Sequence, residues 1–156
     1  MLTRSKIMIA LLAIAALGCG QKEEAKKTAD ENVAIIEITG NDQMQFNLKT
    51  IEVKAGQKVR LTLKHVGQMA KQVMGHNVVI LKPEVDLAEF AGKAAKAADN
   101  DYIPADETGN IIAHTAVIGG GETTTIEFTA PPAGTYKFIC SFPGHFITMQ
   151  GDFIVK

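Results

Sequence analysis

Short alternating segments constrain the fold of this chain more than any other feature. Between Val59 and His65, apolar side chains alternate strictly with Arg60, Thr62 and Lys64, so one face of this strand is expected to be buried. Further short apolar runs lie between turn-forming residues, at 33–38, 46–53, 77–81, 111–118, 123–129, 136–141 and 152–155. Eight short strands joined by turns predict an all-β fold, an eight-stranded antiparallel β-sandwich of Greek-key type.

One segment, residues 83–100, breaks this pattern because it is rich in Ala, Glu and Lys. Pro83 and the acidic residues that follow it suit the first turn of a helix, although Gly92 costs such a helix about 1 kcal/mol. We therefore expect a helical insertion around residues 84–98, within a single domain that covers residues 33–156.

The N-terminal residues are expected to be an export signal. Arg4 and Lys6 precede an apolar stretch over residues 7–17, which is too short to span a bilayer and predicts a signal peptide over residues 1–18. The sequence Ala-Leu-Gly-Cys at 16–19 resembles a bacterial lipoprotein cleavage box, which makes Cys19 the lipidated first residue of the mature chain. The alternative is an ordinary signal peptide followed by an incidental cysteine.

Residues 19–32 are then expected to be a lipid anchor and a charged, flexible tether, because their composition cannot form a core. A short N-terminal helix is the alternative for the same residues. Gly20 follows the cysteine where an aspartate would retain a lipoprotein at the inner membrane, by resemblance to enterobacterial sorting. The predicted location is therefore the periplasm, lipid-anchored at the outer membrane.

The charge of the chain argues against nucleic-acid binding. The whole sequence has a formal net charge of -1, so no basic field is available to attract a polyanion.

The cysteine count draws attention to one residue. The chain has two cysteines, and if Cys19 carries the lipid, Cys140 is left as an unpaired thiol in an exported domain, where disulfides are favoured. It is either a buried spectator or a metal ligand. His145 follows it after a Pro-Gly turn and Met149 lies just beyond, so one tight loop brings three potential ligands together. His76 lies far upstream and is expected to come from an adjacent strand across the sheet.

One thiolate, two imidazoles and one thioether are the ligands of a blue-copper electron-transfer site. Such a site would hold one copper ion per chain, cycle it between Cu(I) and Cu(II) and catalyse no substrate chemistry. Zinc is the rival metal because Cys and His bind it well. The methionine argues against zinc, and copper also has the higher intrinsic affinity.

Four motifs resemble the azurins, the bacterial branch of the cupredoxins. They are GNDQMQFN at 40–47, VMGHN at 73–77, IAHT at 112–115 and FPGH at 142–145, and they follow the family's order over most of residues 33–156. The resemblance implies equatorial ligands from His76, Cys140 and His145. It also implies a long axial contact from Met149 and a second one, opposite, from the carbonyl of Gly75.

The resemblance also implies roles around the ligands. The side chain of Asn77 would tie the two ligand segments together, and the backbone N–H groups of Asn77 and Phe142 would point at the sulfur of Cys140. Phe138 would pack beneath the site and exclude water. His65 matches a buried histidine of the family, for which a core role and a proton-linked role both stay open, and His114 is expected at the surface.

The same resemblance makes the ring edge of His145 the exit for the electron, through an apolar rim that receives the partner. The rim residues are Met44, Met69, Val73, Met74, Phe142, Pro143 and Ile147. Ordinary packing is the alternative for Met44 and Met74. The disulfide usual in azurins is absent, because Ala34 and Gly56 stand at its positions, and such a loss typically costs about 2–5 kcal/mol.

The function implied by the resemblance is a one-electron shuttle and not an enzyme. Its partners would be c-type cytochromes or other redox proteins in transient contact, with no small-molecule substrate and with attachment to the membrane through the lipid. A periplasmic protein that carries or sequesters copper is the alternative. A sandwich without a metal, acting in adhesion, is a more distant one.

Overall fold

The computed structural model describes residues 32–156, which form two β-sheets packed face to face. The strands are β1 (Val33–Gly40), β2 (Thr50–Val53), β3 (Lys58–His65), β4 (Val79–Leu81), β5 (Ile111–His114), β6 (Thr123–Thr129), β7 (Gly134–Ile139) and β8 (Gln150–Val155). One sheet has the order β1-β3-β6 and the other β2-β8-β7-β4-β5. The predicted eight-stranded sandwich is confirmed. The signal peptide, Cys19 and the tether up to residue 31 lie outside the described residues.

The alternation in β3 forms the centre of the core. Val59, Leu61, Leu63 and His65 point inward and are buried, while the residues between them face outward. Burying each such aliphatic side chain contributes about 1.5–3 kcal/mol. The core continues to one end of the sandwich, where it includes Cys140 and Met149, so the candidate ligands belong to the packed interior.

The strands are not all antiparallel, and the expectation of a purely antiparallel sandwich was wrong on this point. β1 pairs with β3 in parallel, from Val33 beside Lys58 to Gly40 beside His65, and β2 pairs with β8 in parallel. The reason is that β2, which lies between β1 and β3 in the chain, runs in the other sheet, so the chain returns to its starting end before β3 begins. Parallel neighbours require a crossover of this kind.

Strands β4 and β5 are shorter than predicted because the chain bends beside the candidate ligands. β4 begins only at Val79 and β5 ends at His114. Beyond these ends the two segments remain hydrogen-bonded to each other, since the hydroxyl oxygen of Thr115 accepts the N–H of Val78 at 3.0 Å. An isolated bridge then pairs His76 with Ile118. His76 therefore lies on an irregular segment rather than on a strand.

The helical insertion is present as α2 (Leu87–Ala94), within the predicted 84–98. The carboxylate of Asp86 caps it by accepting the N–H groups of Ala88 and Glu89 at 2.9 Å. Phe90 anchors the helix in a second core cluster, which also contains Leu81, Ile103 and Ile139. Helix α1 (Lys71–Met74) and three 3₁₀ helices, Ala98–Asn100, Ala105–Asn110 and His145–Ile147, were not predicted. No helix among residues 32–156 is long and apolar enough to cross a membrane.

Candidate metal centre

Three ligand atoms converge inside one end of the sandwich. The Nδ1 atoms of His76 and His145 are 3.2 Å apart. The Sγ atom of Cys140 lies 3.6 Å from the Nδ1 of His145 and 4.0 Å from that of His76. All three residues are buried. The structure thus brings together residues that are 64 and 5 positions apart in the chain.

The loop from Cys140 to Met149 is closed by backbone hydrogen bonds. The N–H of Cys140 donates to the carbonyl of Met149 at 2.9 Å, and the N–H of Met149 donates to the carbonyl of His145 at 2.8 Å. Gly144 takes the left-handed conformation, with φ of 80°, which glycine adopts at little cost. This turn places His145 and Met149 back beside Cys140, as the spacing predicted.

Gly40 lies directly against two of the candidate ligands, His76 and Met149. A Cβ at this position would lie 2.7 Å from Cδ2 of His76 and 3.3 Å from Cε of Met149. Met149 is fully buried, so its thioether belongs to the same end of the core. The absence of a side chain at Gly40 therefore lets the imidazole and the thioether approach the end of β1.

Hydrogen bonds fix the tautomers of the two stacked histidines. The Nε2 of His76 donates to the carbonyl of Asn41 at 2.9 Å, so its Nδ1 presents a lone pair to the other ligands. The ring of His65 stacks on that of His76 with centroids 4.3 Å apart. His65 accepts the N–H of Gly67 at Nδ1 and donates from Nε2 to the carbonyl of Met74, which satisfies a neutral, buried ring. His114 is exposed, as predicted.

Burial dominates the protonation of the ligands. It raises the pKa of the Cys140 thiol to about 12, against the opposing effect of the backbone N–H groups of Asn77 and Phe142. Burial also lowers the pKa of His145 to about 4 and lowers the pKa of His76. At neutral pH, both imidazoles therefore offer lone pairs. A cation binding to the sulfur displaces the thiol proton, because the thiolate is the ligand form.

Asn77 connects the two ligand segments through its side chain. Its side-chain Nδ2 donates to the hydroxyl of Ser141 at 2.8 Å, and its Oδ1 accepts the backbone N–H of Ser141 at 2.8 Å. Ser141 in turn donates to the carbonyl of Tyr102 at 2.8 Å. These bonds join the residue after His76 to the residue after Cys140. Ser141 and Tyr102 were missed because neither carries a metal-binding group.

The carbonyl of Gly75 and the ring of Phe138 are the remaining predicted contacts. The carbonyl oxygen of Gly75 is 3.9 Å from the Sγ of Cys140. Phe138 is fully buried in the same core and packs against the ring of Phe46, with centroids 5.8 Å apart. Phe138 therefore fills the interior on the core side of the loop.

An apolar rim surrounds this end of the sandwich. Met44, Met69, Val73 and Ile147 expose 37–68% of their surface, and Pro143 is also exposed. Met74 is half-buried, and Phe142 is only 8% exposed, so Phe142 packs beneath the rim instead of extending it. His145 is itself only 3% exposed. Val66, 61% exposed, was missed, although the alternation of β3 places it opposite the buried His65.

The donor set of this site fits copper. Two neutral imidazoles and a thiolate converge at one point, and a buried thioether lies beside them, which is the combination of nitrogen and soft sulfur that copper accepts in both oxidation states. No acidic side chain is among the converging ligands of the described residues. The arrangement can bind a metal ion and hold it away from water.

Comparison with known proteins agrees with this geometry. Residues 33–156 match the family described as copper binding proteins, plastocyanin/azurin family. The azurin of Alcaligenes faecalis is 42% identical over 120 residues, covering 74% of this chain and 93% of that protein. The outer membrane protein H.8 of Neisseria gonorrhoeae is 45% identical over 119 residues, which cover 73% of this chain and 63% of that protein.

Two solved structures resemble the fold closely. A reduced auracyanin from the photosynthetic bacterium Roseiflexus castenholzii has a TM-score of 0.71 and 36% identity, covering 79% of this chain and 97% of the other. The azurin Az-iso2 of Methylomonas sp. strain J has a TM-score of 0.71 and 33% identity, covering 79% and 98%.

Proposed function

The chain belongs to the plastocyanin/azurin family of copper-binding proteins, and from that premise we propose that it carries single electrons between redox proteins of the bacterial cell envelope. It binds one copper ion per chain, with His76, Cys140, His145 and Met149 as the ligand set. The observation that carries the proposal is the buried convergence of two Nδ1 atoms and one Sγ atom. Copper bound there supplies a couple between Cu(I) and Cu(II).

The residues around the ligands suit fast electron transfer and not catalysis. Asn77 and Ser141 hold the two ligand segments in one geometry through two hydrogen bonds of 2.8 Å. The N–H groups of Asn77 and Phe142 stabilise negative charge on the sulfur of Cys140 and so tune the reduction potential. Phe138 would keep water from the core side, and the carbonyl of Gly75, 3.9 Å from the Sγ of Cys140, would be a weak contact to the bound ion.

We assign partner docking to the apolar rim of Met44, Met69, Val73, Pro143 and Ile147. Exposed methionines form adaptable contacts, and an apolar patch on the surface marks an interaction site. Met74 and Phe142 support this rim from below. The partner is a redox protein, such as a c-type cytochrome, that binds transiently, while nucleic acid and small-molecule substrates have no role in the proposal.

The proposed location is the periplasm, with attachment to the outer membrane. It follows from the signal peptide over 1–18, the lipidated Cys19 and the charged tether of 19–32 that precede the copper domain of 33–156. The similarity to a protein named outer membrane protein H.8 supports it. Radiolabelled palmitate should be incorporated by the wild-type chain and not by Cys19→Ser. Incorporation by both would place the lipid elsewhere.

A copper carrier or sequestering protein is the second candidate, and the two functions can be separated experimentally. A carrier must release its ion, whereas these ligands are buried at the end of a packed core. The electron-transfer function predicts a reversible one-electron wave in voltammetry and retention of copper in the presence of an apo-acceptor. Ready loss of copper to the acceptor would favour the carrier. Met149→Leu should shift the potential while copper stays bound.

A further inference from the structure

The end of the sandwich at which β1 begins lies opposite the copper site. β1 runs from Val33 to Gly40, and Gly40 lies against His76 and Met149. Eight extended residues cover about 23 Å. The chain that precedes Val33 therefore joins the domain at the end farthest from the ligands.

We call this end the anchor pole and define it by residues 32–33, 52–60, 127–133 and 156. Pairings between strands bring these segments together, since Val33 lies beside Lys58 and Lys58 beside Thr129. The N–H of Ala55 also donates to the carbonyl of Lys156 at 2.9 Å. The anchor pole is thus one continuous surface around the point where residues 1–31 connect.

The anchor pole is basic, although the domain as a whole is not. Its charged side chains are Lys54, Lys58, Arg60, Lys156, Glu52 and Glu127, a net charge of +2. Ion pairs of 2.6 Å join Arg60 to Glu127 and Lys156 to Glu52. Lys54 and Lys58 are exposed and form no ion pair with any other residue in the part of the chain described. They are the source of the net positive charge.

The opposite charge is concentrated in the longer segment between β4 and β5, which contains the helical insertion. Residues 82–110 hold seven acidic and three basic side chains, a net charge of -4. An anionic surface would therefore attract the lysines of the anchor pole and repel the acidic side chains of residues 82–110.

We propose that the anchor pole rests on a phospholipid surface carrying anionic headgroups, with Lys54 and Lys58 as the contacts. The inference rests on the lipid attachment at Cys19 in the proposed function. Residues 19–31 span at most about 45 Å, so that attachment would keep the pole close to the bilayer. Each lysine near an anionic bilayer strengthens association about fivefold. The apolar rim then faces away from the membrane, where a diffusing redox protein can reach it.

The acidic residues of the tether are the competing occupants of these lysines. If they neutralise Lys54 and Lys58, anionic lipid does not strengthen the binding of the anchor pole to the membrane. The residues concerned are Glu23, Glu24, Asp30 and Glu31.

The test uses the lipidated, copper-loaded full chain on vesicles of phosphatidylethanolamine, with or without phosphatidylglycerol. A fluorophore is attached through Ala55→Cys at the anchor pole or through Gln43→Cys near the copper, both exposed positions. Lipids with a nitroxide headgroup quench a label that lies at the surface. Phosphatidylglycerol should increase quenching of the Ala55→Cys label several-fold and leave the Gln43→Cys label weakly quenched.

Charge variants separate the proposal from the effect of the tether alone. Lys54→Glu with Lys58→Glu should abolish the increase, whereas Lys82→Glu with Lys96→Glu, which changes the net charge equally within residues 82–110, should preserve it. The proposal is overturned if phosphatidylglycerol has no effect, or if Lys54→Glu with Lys58→Glu leaves its effect unchanged.

Failure of the lipid attachment gives a different result. The chain would then not float with vesicles of phosphatidylethanolamine alone. The role of the anchor pole can still be tested by binding to phosphatidylglycerol vesicles at low salt. The wild-type chain should bind, and the chain with Lys54→Glu and Lys58→Glu should not. Equal binding of the two would refute the pole independently of the anchor.

Discussion

Replacing Asn77 by alanine should destabilise the copper-free protein by about 3 kcal/mol. Asn77 is fully buried and makes two hydrogen bonds of 2.8 Å with Ser141 and a longer one of 3.3 Å with the carbonyl of Asp101. Losing the bond to the Ser141 hydroxyl costs about 1 kcal/mol, and leaving the buried N–H of Ser141 without a partner costs about 1–3 kcal/mol. The expected loss of stability is large because Asn77 and Ser141 are both buried in the core.

The assay is urea unfolding of the copper-free protein, because bound copper would add stability by mass action. In a thermal melt of a domain of this size, the same 3 kcal/mol would lower the Tm by about 12 °C. Asn47→Ala is the matched control. The side chain of Asn47 is exposed and accepts a single N–H, from Thr39 at 2.7 Å, so this variant should lose less than about 1 kcal/mol. Equal losses in the two variants would refute the role given to Asn77.

Three further predictions concern copper affinity, proton release and acid stability. Gly40→Ala should lower copper affinity at least tenfold in a chelator competition, because its Cβ would lie 2.7 Å from the ring of His76, whereas Gly92→Ala, with nothing within 4 Å, should leave the affinity unchanged. Copper binding at pH 7 should release close to one proton per ion in a pH-stat, since burial raises the pKa of Cys140 to about 12 and the pKa values of both histidines are lowered. The pKa of Glu107 is lowered, first by Lys93 and then by Asn110, so its contribution to stability is present above pH 4.5 and is lost as the pH falls through the folded value. Glu107→Gln should reduce the fall in Tm on acidification, and Asp106→Asn should not.

Each of these has an outcome that contradicts it. Unchanged affinity in Gly40→Ala would mean that His76 does not bind copper in the position described. Release of no proton would mean that the thiol is already ionised or does not bind. An acid-induced fall in Tm that is identical in Glu107→Gln and the wild type would mean that the ion pair with Lys93 does not contribute to stability.

The strands and the ligand loop could be predicted because their signals are local. The alternation in β3 reports burial directly, and the spacing from Cys140 to His145 and Met149 fits one tight turn. His76 is different, because no local pattern connects it to Cys140. The prediction that His76 is a ligand rested on the chemistry of the full ligand set and on the resemblance of its motif. A local pattern is lacking because His76 lies on an irregular segment between α1 and β4.

Features that depend on contacts between distant segments were missed. The parallel pairing of β1 with β3 depends on which sheet β2 joins, and the sequence of β1 carries no signal of that choice. Helix α1 has only four residues, and no side chain caps its start at Ala70, so it lacks the usual signals of a helix. The anchoring role of Phe90 follows from the position of the second core cluster, which propensity cannot reveal.

The visible absorption and EPR spectra of the copper-loaded chain, beside those of Cys140→Ser, test the central claim most directly. The wild type should bind one copper ion and show an intense thiolate-to-copper charge-transfer band with a narrow copper hyperfine splitting, as expected for a blue-copper site. Cys140→Ser should lose the colour and keep the sandwich, as judged by circular dichroism. A colourless wild type with one bound copper ion, or a variant that stays blue, would contradict the site.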